Sequence, residues 1–156
     1  MKKIVSLLFI AVLMVLTACS SESAAPAAEE AGVARYDKTQ VEILGAEFTD
    51  DYKEVEDANG IPAIMVRMHF KNDGNEPLYL LESFGIYAYQ DGTELDYISL
   101  NDQIREEARN VARGVKDGAE LDCIMAFATI SDSPVEVRIS EPVWDGKELV
   151  TETFEK

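Results

Sequence analysis

The sequence predicts an all-β domain, folded as a sandwich or a barrel of short antiparallel strands with one short helix. Apolar and polar residues alternate along several short segments, as they do in half-buried strands. Pairs of Asp or Asn followed by Gly recur between these segments, and such pairs are frequent in the tight turns of antiparallel sheets. One segment, residues 101–113, has its apolar residues at helical spacing instead.

The first two strands are predicted on either side of a polar loop. The first strand is Val41–Phe48, and the loop over residues 50–60 ends in Asn59-Gly60. The second strand, Ile61–Lys71, alternates most regularly, and the turn sequence Asn72-Asp73-Gly74 ends it. Its apolar face carries Ile64, Val66, Met68 and Phe70, which alternate with Met65, Arg67, His69 and Lys71.

A hairpin is predicted next in the chain. Phe84–Gln90 and Thr93–Asp96 flank Asp91-Gly92, and both turn positions favour residues that accept a positive φ. Two further strands are predicted, Leu121–Ile130 and Val135–Ile139. In the first of them, Cys123 lies on the same face as Leu121, Met125 and Phe127. A last hairpin is predicted to join Pro142–Trp144 to Lys147–Phe154 around Asp145-Gly146.

The one helix is predicted over Asn101–Arg113, where apolar residues recur at intervals of three and four. Arg105, Arg109 and Arg113 follow at intervals of four, which places them in one stripe on an α-helix. Salt bridges to the protein's own acids would explain such a stripe. The alternative is a docking surface for an acidic polymer or partner.

The N-terminus has the features of a secretory signal. Two lysines precede an apolar run, Ile4–Leu16, that only Ser6 interrupts. This run is too short to cross a bilayer, because a spanning helix needs about 20 residues. Leu16-Thr17-Ala18-Cys19 then resembles the bacterial lipobox, Leu-x-[Ala/Gly]-Cys. The resemblance implies cleavage after Ala18 and a diacylglycerol thioether on Cys19; the alternative is a plain secretory signal with an incidental cysteine.

Three parts of the chain are therefore expected. Residues 1–18 form a lipoprotein signal peptide, residues 19–35 hold the lipidated cysteine and a flexible tether, and residues 36–156 form one β-domain. Ser20–Ala34 has too little apolar content to fold by itself. The lipid on Cys19 would hold the protein at the cell membrane, on its extracytoplasmic face.

The charge of the chain is strongly negative. It carries 30 acidic and 14 basic residues, a net charge of −16. Removal of 18 of the 156 residues would leave 138 and would take away Lys2 and Lys3, so the charge would become −18. Such a surface repels nucleic acid and anionic lipid head groups, and no nucleic-acid partner is expected. Solubility explains the charge; the alternative is a cationic partner or divalent ions.

Several motifs resemble a known group of domains. Val66–Gly74, followed by Pro77, resembles the strand and turn at the centre of small immunoglobulin-like lipoprotein domains of Gram-positive bacteria, the domain-of-unknown-function families numbered 5067 and 4352. Tyr87–Leu95 resembles the Tyr-Gln-Asp-Gly-x-x-Leu hairpin of the former, and Gly118–Phe127 and Ser133–Val137 follow in the same order. The resemblance implies an immunoglobulin-like antiparallel β-sandwich, of about seven to eight strands, outside the cytoplasm. It carries over no catalytic residues.

A run of acids precedes the second strand. Calcium takes six to eight oxygen ligands, so five carboxylates within eight residues are a candidate cation site. Their spacing matches no EF-hand loop, however, and a chain with 30 acids produces such runs by chance. No metal or other cofactor is therefore expected. The five residues are Asp50, Asp51, Glu54, Glu56 and Asp57.

Four tyrosines, Tyr79, Tyr87, Tyr89 and Tyr97, lie close together in sequence around the predicted hairpin. Tyr87 and Tyr89 share one face of their strand. We expect them to pack in the core, with a binding surface as the alternative.

Two residue types that often carry chemistry occur rarely here. His69 is the only histidine and is expected to face solvent, so neither a histidine-based triad nor a zinc site is expected. Cys123 is expected to be a buried apolar residue, because free cysteine commonly is one. A reactive nucleophile or an intermolecular disulfide is the alternative.

These observations favour a non-catalytic, membrane-anchored binding or interaction module, whose partner is a protein or an envelope polymer. Two alternatives stay open. One is a cell-envelope enzyme with carboxylate-based chemistry. The other is a small solute-binding lipoprotein, although 138 residues are few for two lobes that close on a solute.

Overall fold

The computed structural model describes residues 32–53, 60–98, 106–143 and 145–156. The first of its two sheets is built from β1 (Val33–Tyr36), β2 (Thr39–Tyr52), β3 (Ile61–Asn72), β6 (Tyr97–Ile98) and β7 (Glu120–Ala128). These strands lie in the order β1-β2-β3-β7-β6, and every neighbouring pair is antiparallel.

The second sheet is built from β4 (Gly85–Gln90), β5 (Thr93–Glu94), β8 (Val135–Ser140) and β9 (Glu148–Phe154). Its order is β5-β4-β8-β9, again antiparallel throughout. The predicted antiparallel β-sandwich is confirmed. The described residues contain nine strands, where about seven to eight were expected.

The core lies between the two sheets and follows the predicted alternation. The alternate residues Val66, Met68 and Phe70 of β3 are fully buried. Phe84, the residue before β4, packs edge-on against Phe70 with the ring centres 6.3 Å apart. The other fully or nearly fully buried members include Ile64, Cys123, Met125, Phe127, Ala88, Val135, Val137 and Ile139. This packing fixes which face of β4 and β8 points outward.

A second, smaller apolar cluster lies on the other face of the first sheet. Met65 and Ala63 of β3 are buried there beside Ile124 and Ala126 of β7. The alternation predicted that Met65 faces solvent, and this prediction is wrong because Met65 is buried in the second cluster. Arg67, two residues further along on the same face, is exposed as expected.

The Asp91-Gly92 hairpin is confirmed. Both residues have positive φ, 52° and 77°, which the tight turn between β4 and β5 requires. The turn after β3 depends on a side chain instead: Asn72 is fully buried and its amide donates to the carbonyl oxygens of Glu76 and Val115, both at 2.8 Å. Its Oδ1 accepts from the Gly74 N–H.

The β-domain begins earlier than the predicted boundary at residue 36. Val33–Tyr36 is strand β1, which pairs with β2 across a turn where Asp37 has a φ of 51°. Ala34 is buried in the core. Residues 33–35, which were predicted to lie in a tether, thus belong to the folded domain, because pairing with a long neighbouring strand buries a segment whose own composition is only weakly apolar.

The last predicted hairpin is wrong in one of its strands. Pro142 and Val143 lie in a bend, Trp144 lies outside the described residues, and β9 pairs with β8 instead. Proline lacks the N–H that a strand needs for pairing, which suits it to this connection.

The predicted helix differs from the observed one in type and extent. Glu106–Ala112 forms a 3₁₀ helix, and residues 101–105 lie outside the described part of the chain. A short helix that was not predicted, α1 (Leu80–Ser83), precedes β4. No helix within the described residues has the length and apolar composition needed to cross a membrane.

Candidate functional site

The outer face of the second sheet brings together two of the tyrosines. Along β4, Ile86 and Ala88 point into the core, so Tyr87 and Tyr89 point out. The core-packing role expected for this pair is therefore wrong. Tyr97 lies on the first sheet, against Phe127, so the tyrosines do not form one cluster.

The Tyr87 ring lies over a glycine. A Cβ built on Gly85 would be 2.8 Å from Tyr87 Cε2 and 3.1 Å from its Oη. The ring therefore occupies the space that any other side chain at position 85 would fill. Tyr87 is 37% exposed. One side of the ring is thus supported by the sheet while part of it stays open to solvent.

Arg138 of β8 lies opposite Tyr87 in the strand pairing. Its guanidinium carbon is 4.8 Å from the centre of the Tyr89 ring, within the range of a cation–π contact. Its Nη2 donates to Glu136 Oε1 at 2.8 Å, and its Nε lies 3.0 Å from Glu148 Oε2. The hydrogen bond that Arg138 donates to Glu136 raises the pKa of Arg138 further above its ordinary value. The positive charge of Arg138 is thus paired with two carboxylates.

A shallow depression of about 300 Å³ opens beside these residues. Desolvation raises the pKa of Tyr89 above its ordinary value, and the nearby Glu94 carboxylate contributes to that shift. A phenol ring beside carboxylates suits a ligand with a positive charge or several hydrogen-bond donors. The described lining of the depression, which we call the tyrosine face, is Tyr87, Tyr89, Glu94, Arg138, Ser140, Val143, Asp145 and Gly146.

The arginine stripe does not form as predicted. Arg109 lies in the 3₁₀ helix and Arg113 lies just beyond its end, both exposed, while Arg105 lies outside the described residues. A 3₁₀ helix has about three residues per turn, so positions four apart point in directions about 120° apart. The described segment therefore lacks the α-helical period of 3.6 residues on which the predicted stripe depended.

The described part of the acidic run is used in ion pairs. Asp50 Oδ1 lies 2.9 Å from Lys156 Nζ, which also contacts Asp132 at 2.7 Å. Asp51 Oδ2 lies 3.7 Å from Lys53 Nζ. Glu54, Glu56 and Asp57 lie outside the described residues. Within the described ranges, no three His, Cys, Asp or Glu residues come close enough to hold a metal ion.

His69 lies on the outer face of the first sheet, between two carboxylates. Its Nδ1 is 2.7 Å from Asp122 Oδ1, and its Nε2 is 3.6 Å from Glu120 Oε2. The hydrogen bond to Asp122 raises the pKa of His69 above its ordinary value, and both carboxylate charges act in the same direction. The side chain keeps 27% of its surface exposed, so the expected solvent-facing position is confirmed.

Cys123 is buried in the core, as predicted. Its thiol lies 3.6 Å from the carbonyl oxygen of Met68. Burial raises the pKa of the thiol to about 12, so the reactive thiolate is scarce at neutral pH. Cys19, the predicted lipidation site, lies outside the described residues.

Comparison with known proteins adds a family and a fold. The family model described as Domain of unknown function (DUF5067) matches residues 15–141. This confirms the resemblance to the family numbered 5067, whereas the resemblance to the family numbered 4352 stays a prediction. No curated protein matches the chain.

Three solved structures share the fold at low sequence identity. A Staphylococcus aureus protein described as a "putative lipoprotein" is 12% identical, with a TM-score of 0.64 over 81% of this chain and 89% of that one. A Clostridium difficile "uncharacterized beta-sandwich protein" is 16% identical, with a TM-score of 0.53 over 81% and 93%. A Bacillus subtilis "putative lipoprotein" is 18% identical, with a TM-score of 0.52 over 81% of this chain but only 38% of its own. At these identities the likeness concerns the fold alone.

Proposed function

The chain belongs to the DUF5067 family, and we propose that it is an exported lipoprotein, held on the extracytoplasmic face of the cell membrane by lipid on Cys19. In this proposal the β-sandwich is a non-catalytic binding module, and the tyrosine face is its contact surface. The observation that best supports the lipid anchor is the N-terminal sequence. Two lysines are followed by a short apolar run and then by Leu16-Thr17-Ala18-Cys19.

Two further findings support the anchor. The region that the family model matches begins at residue 15 and so includes the whole Leu16–Cys19 motif. Two of the structural relatives, from Staphylococcus aureus and Bacillus subtilis, carry the word lipoprotein in their names. Two or more acyl chains hold a protein stably at a bilayer, whereas one chain does so only marginally, so a diacylglycerol on Cys19 would be a sufficient anchor.

The position of β1 sets how far the domain can stand from the membrane. Ser20–Gly32 links the proposed anchor to the first strand, and these 13 residues could span at most about 45 Å when extended. That distance exceeds the Debye length of about 8 Å at physiological ionic strength. A domain with so many acidic residues could therefore avoid repulsion from an anionic membrane and meet partners beyond it.

The binding role is supported by the composition of the tyrosine face. Tyrosine and arginine are enriched where proteins contact partners, because each offers a large contact area together with polar groups. Here Tyr87 is partly exposed on a sheet whose other face is the core. The sheet supports one side of the ring at Gly85, and such support lowers the entropic cost of ordering the side chain on binding.

Metabolic labelling with an alkyne fatty acid in a lipoprotein-processing bacterium tests the anchor. We expect the wild-type protein to incorporate label, to sediment with membranes and to be digested by protease added to intact spheroplasts. Cys19→Ala should lose the label and leave the membrane fraction, while Cys123→Ala, the matched control at the only other cysteine, should keep both. Label that survives Cys19→Ala, or protein that external protease cannot reach, would contradict the proposal. Turnover of glycan, peptide or ester substrates by the purified protein would contradict the non-catalytic role.

A further inference from the structure

The tyrosine face has an excess of negative charge at a place where an aromatic ring is open. Arg138 is the one cation among the described residues that line the depression, and Glu136 and Glu148 already contact it. Glu94 and Asp145 lie in the same lining. A ligand that enters therefore meets a ring and carboxylates, with the local positive charge already compensated.

The protein itself shows that a tyrosine ring beside carboxylates can bind a cation. The guanidinium of Arg138 sits over the Tyr89 ring and contacts two glutamates, so a ring and carboxylates here bind a positively charged side chain. Tyr87 lies next to that arrangement on the same strand face, with its ring supported by Gly85. It offers a second ring for a cation that comes from outside.

We propose that the tyrosine face binds a lysine or arginine side chain from a basic segment of a partner protein, with the cation over the Tyr87 ring and near the carboxylates of Glu94 and Asp145. The charge of the whole molecule agrees with this partner: a net charge of −16 attracts basic chains and increases their rate of encounter. The inference deepens the proposed binding role. It does not depend on the lipid anchor, so the labelling experiment and the binding experiment can fail separately.

A labelled basic peptide tests the site. Fluorescein-labelled hexalysine is titrated against the full-length protein in a non-ionic detergent, and binding is followed by fluorescence anisotropy at about 0.15 M salt. Tyr87→Ala should weaken binding roughly three- to five-fold, the size expected for loss of an exposed cation–π contact. Tyr87→Phe keeps the ring and should bind as the wild type does. Tyr97→Ala, at an exposed tyrosine on the other sheet, is the matched control and should change nothing.

A glycine variant separates the position of the ring from its presence. Gly85→Ala would bring a methyl group to 2.8 Å from Tyr87 Cε2 and 2.7 Å from Ser140 Oγ, both of which are ends of side chains that can turn. The Tyr87 ring should move away, and binding should weaken about as much as in Tyr87→Ala. Unchanged binding by Gly85→Ala and Tyr87→Ala together would overturn the proposal.

A pair of charge variants separates the site from general attraction to an acidic protein. Asp145→Asn should weaken binding, whereas Asp117→Asn, at another exposed Asp-Gly pair away from the tyrosine face, should not. Equal weakening by both variants would show non-specific charge attraction and would overturn the proposal. So would equal binding of a hexapeptide of acetyl-lysine, or displacement of hexalysine by a neutral oligosaccharide such as cellotriose.

Discussion

The side chain of Gln90 bonds to both backbone groups of Ser131. Oε1 accepts from the Ser131 N–H at 3.1 Å, and Nε2 donates to the Ser131 carbonyl oxygen, also at 3.1 Å. Oε1 also accepts from the N–H of Ile130, and Nε2 also donates to the carbonyl oxygen of Ser133. All four hydrogen-bonding positions of the amide are filled, and Gln90 is only 1% exposed. One side chain thus ties the β4–β5 hairpin to the turn between β7 and β8.

Gln90→Met should therefore destabilise the fold by about 2 kcal/mol, because it keeps the volume of the side chain but removes four hydrogen bonds to partly buried backbone groups. Urea denaturation followed by circular dichroism measures the loss. Gln40→Met is the control, since Gln40 lies on an outer strand face, and it should stay within about 0.5 kcal/mol of the wild type. A similar stability for both variants would contradict the role given to Gln90.

His69 should stabilise the protein only at lower pH. Its pKa is raised in the folded state, so its ion pair with Asp122 contributes fully below the unfolded-state pKa of about 6.5 and is lost as the pH rises through the higher folded-state value. We expect His69→Gln to lower the unfolding free energy at pH 5.5, by less than about 1 kcal/mol for a partly exposed pair, and to have almost no effect at pH 8.5.

Lys71→Gln is the matched control for that measurement. Lys71 lies on the same strand face, and its Nζ is 3.0 Å from Asp73 Oδ1. The contact between Lys71 and Asp73 involves no imidazole, so the effect of Lys71→Gln should be the same at both pH values. If His69→Gln lowered the unfolding free energy equally at both pH values, or more at pH 8.5, the contact with Asp122 would not raise the pKa of His69 in the folded protein.

The Cys123 thiol should be inert while the protein is folded. A pKa of about 12 lowers the thiolate fraction at pH 8 roughly a thousandfold relative to a free cysteine, and burial excludes the reagent as well. In a Cys19→Ser variant, where Cys123 is the only cysteine, Ellman's reagent should react within minutes in 6 M guanidinium but not measurably over an hour in buffer. Fast reaction in buffer would mean that the β3–β7 region opens readily.

The sequence predicted the elements whose pattern is local. The strands β3 and β8 and the Asp91-Gly92 turn are all indicated by patterns among neighbouring residues, and the structure has these elements where they were expected. Asn72 and Gln90 lie in the two motifs that suggested the family. The structure gives both residues a physical role, because each satisfies backbone groups of a turn from a buried position.

The rest depends on contacts between distant parts of the chain. β1 was missed because Val33–Tyr36 becomes a strand only by pairing with β2, and the burial of Met65 depends on a second apolar cluster that includes β7. The arginine stripe assumed 3.6 residues per turn, whereas the described helix is 3₁₀. Arg138 was not singled out at all, since its place beside the tyrosines follows from the register of β4 against β8, and no short motif encodes that pairing.

The central claim, that this β-sandwich is carried at the membrane by lipid on Cys19, is tested most directly by the intact mass of the protein extracted from membranes. We predict the mass of residues 19–156 plus a diacylglyceryl group, with any further acylation on the same N-terminal residue in the fragment spectrum. A chain that begins at Met1, a chain cleaved at another position, or an unmodified Cys19 in membrane-extracted protein would contradict it.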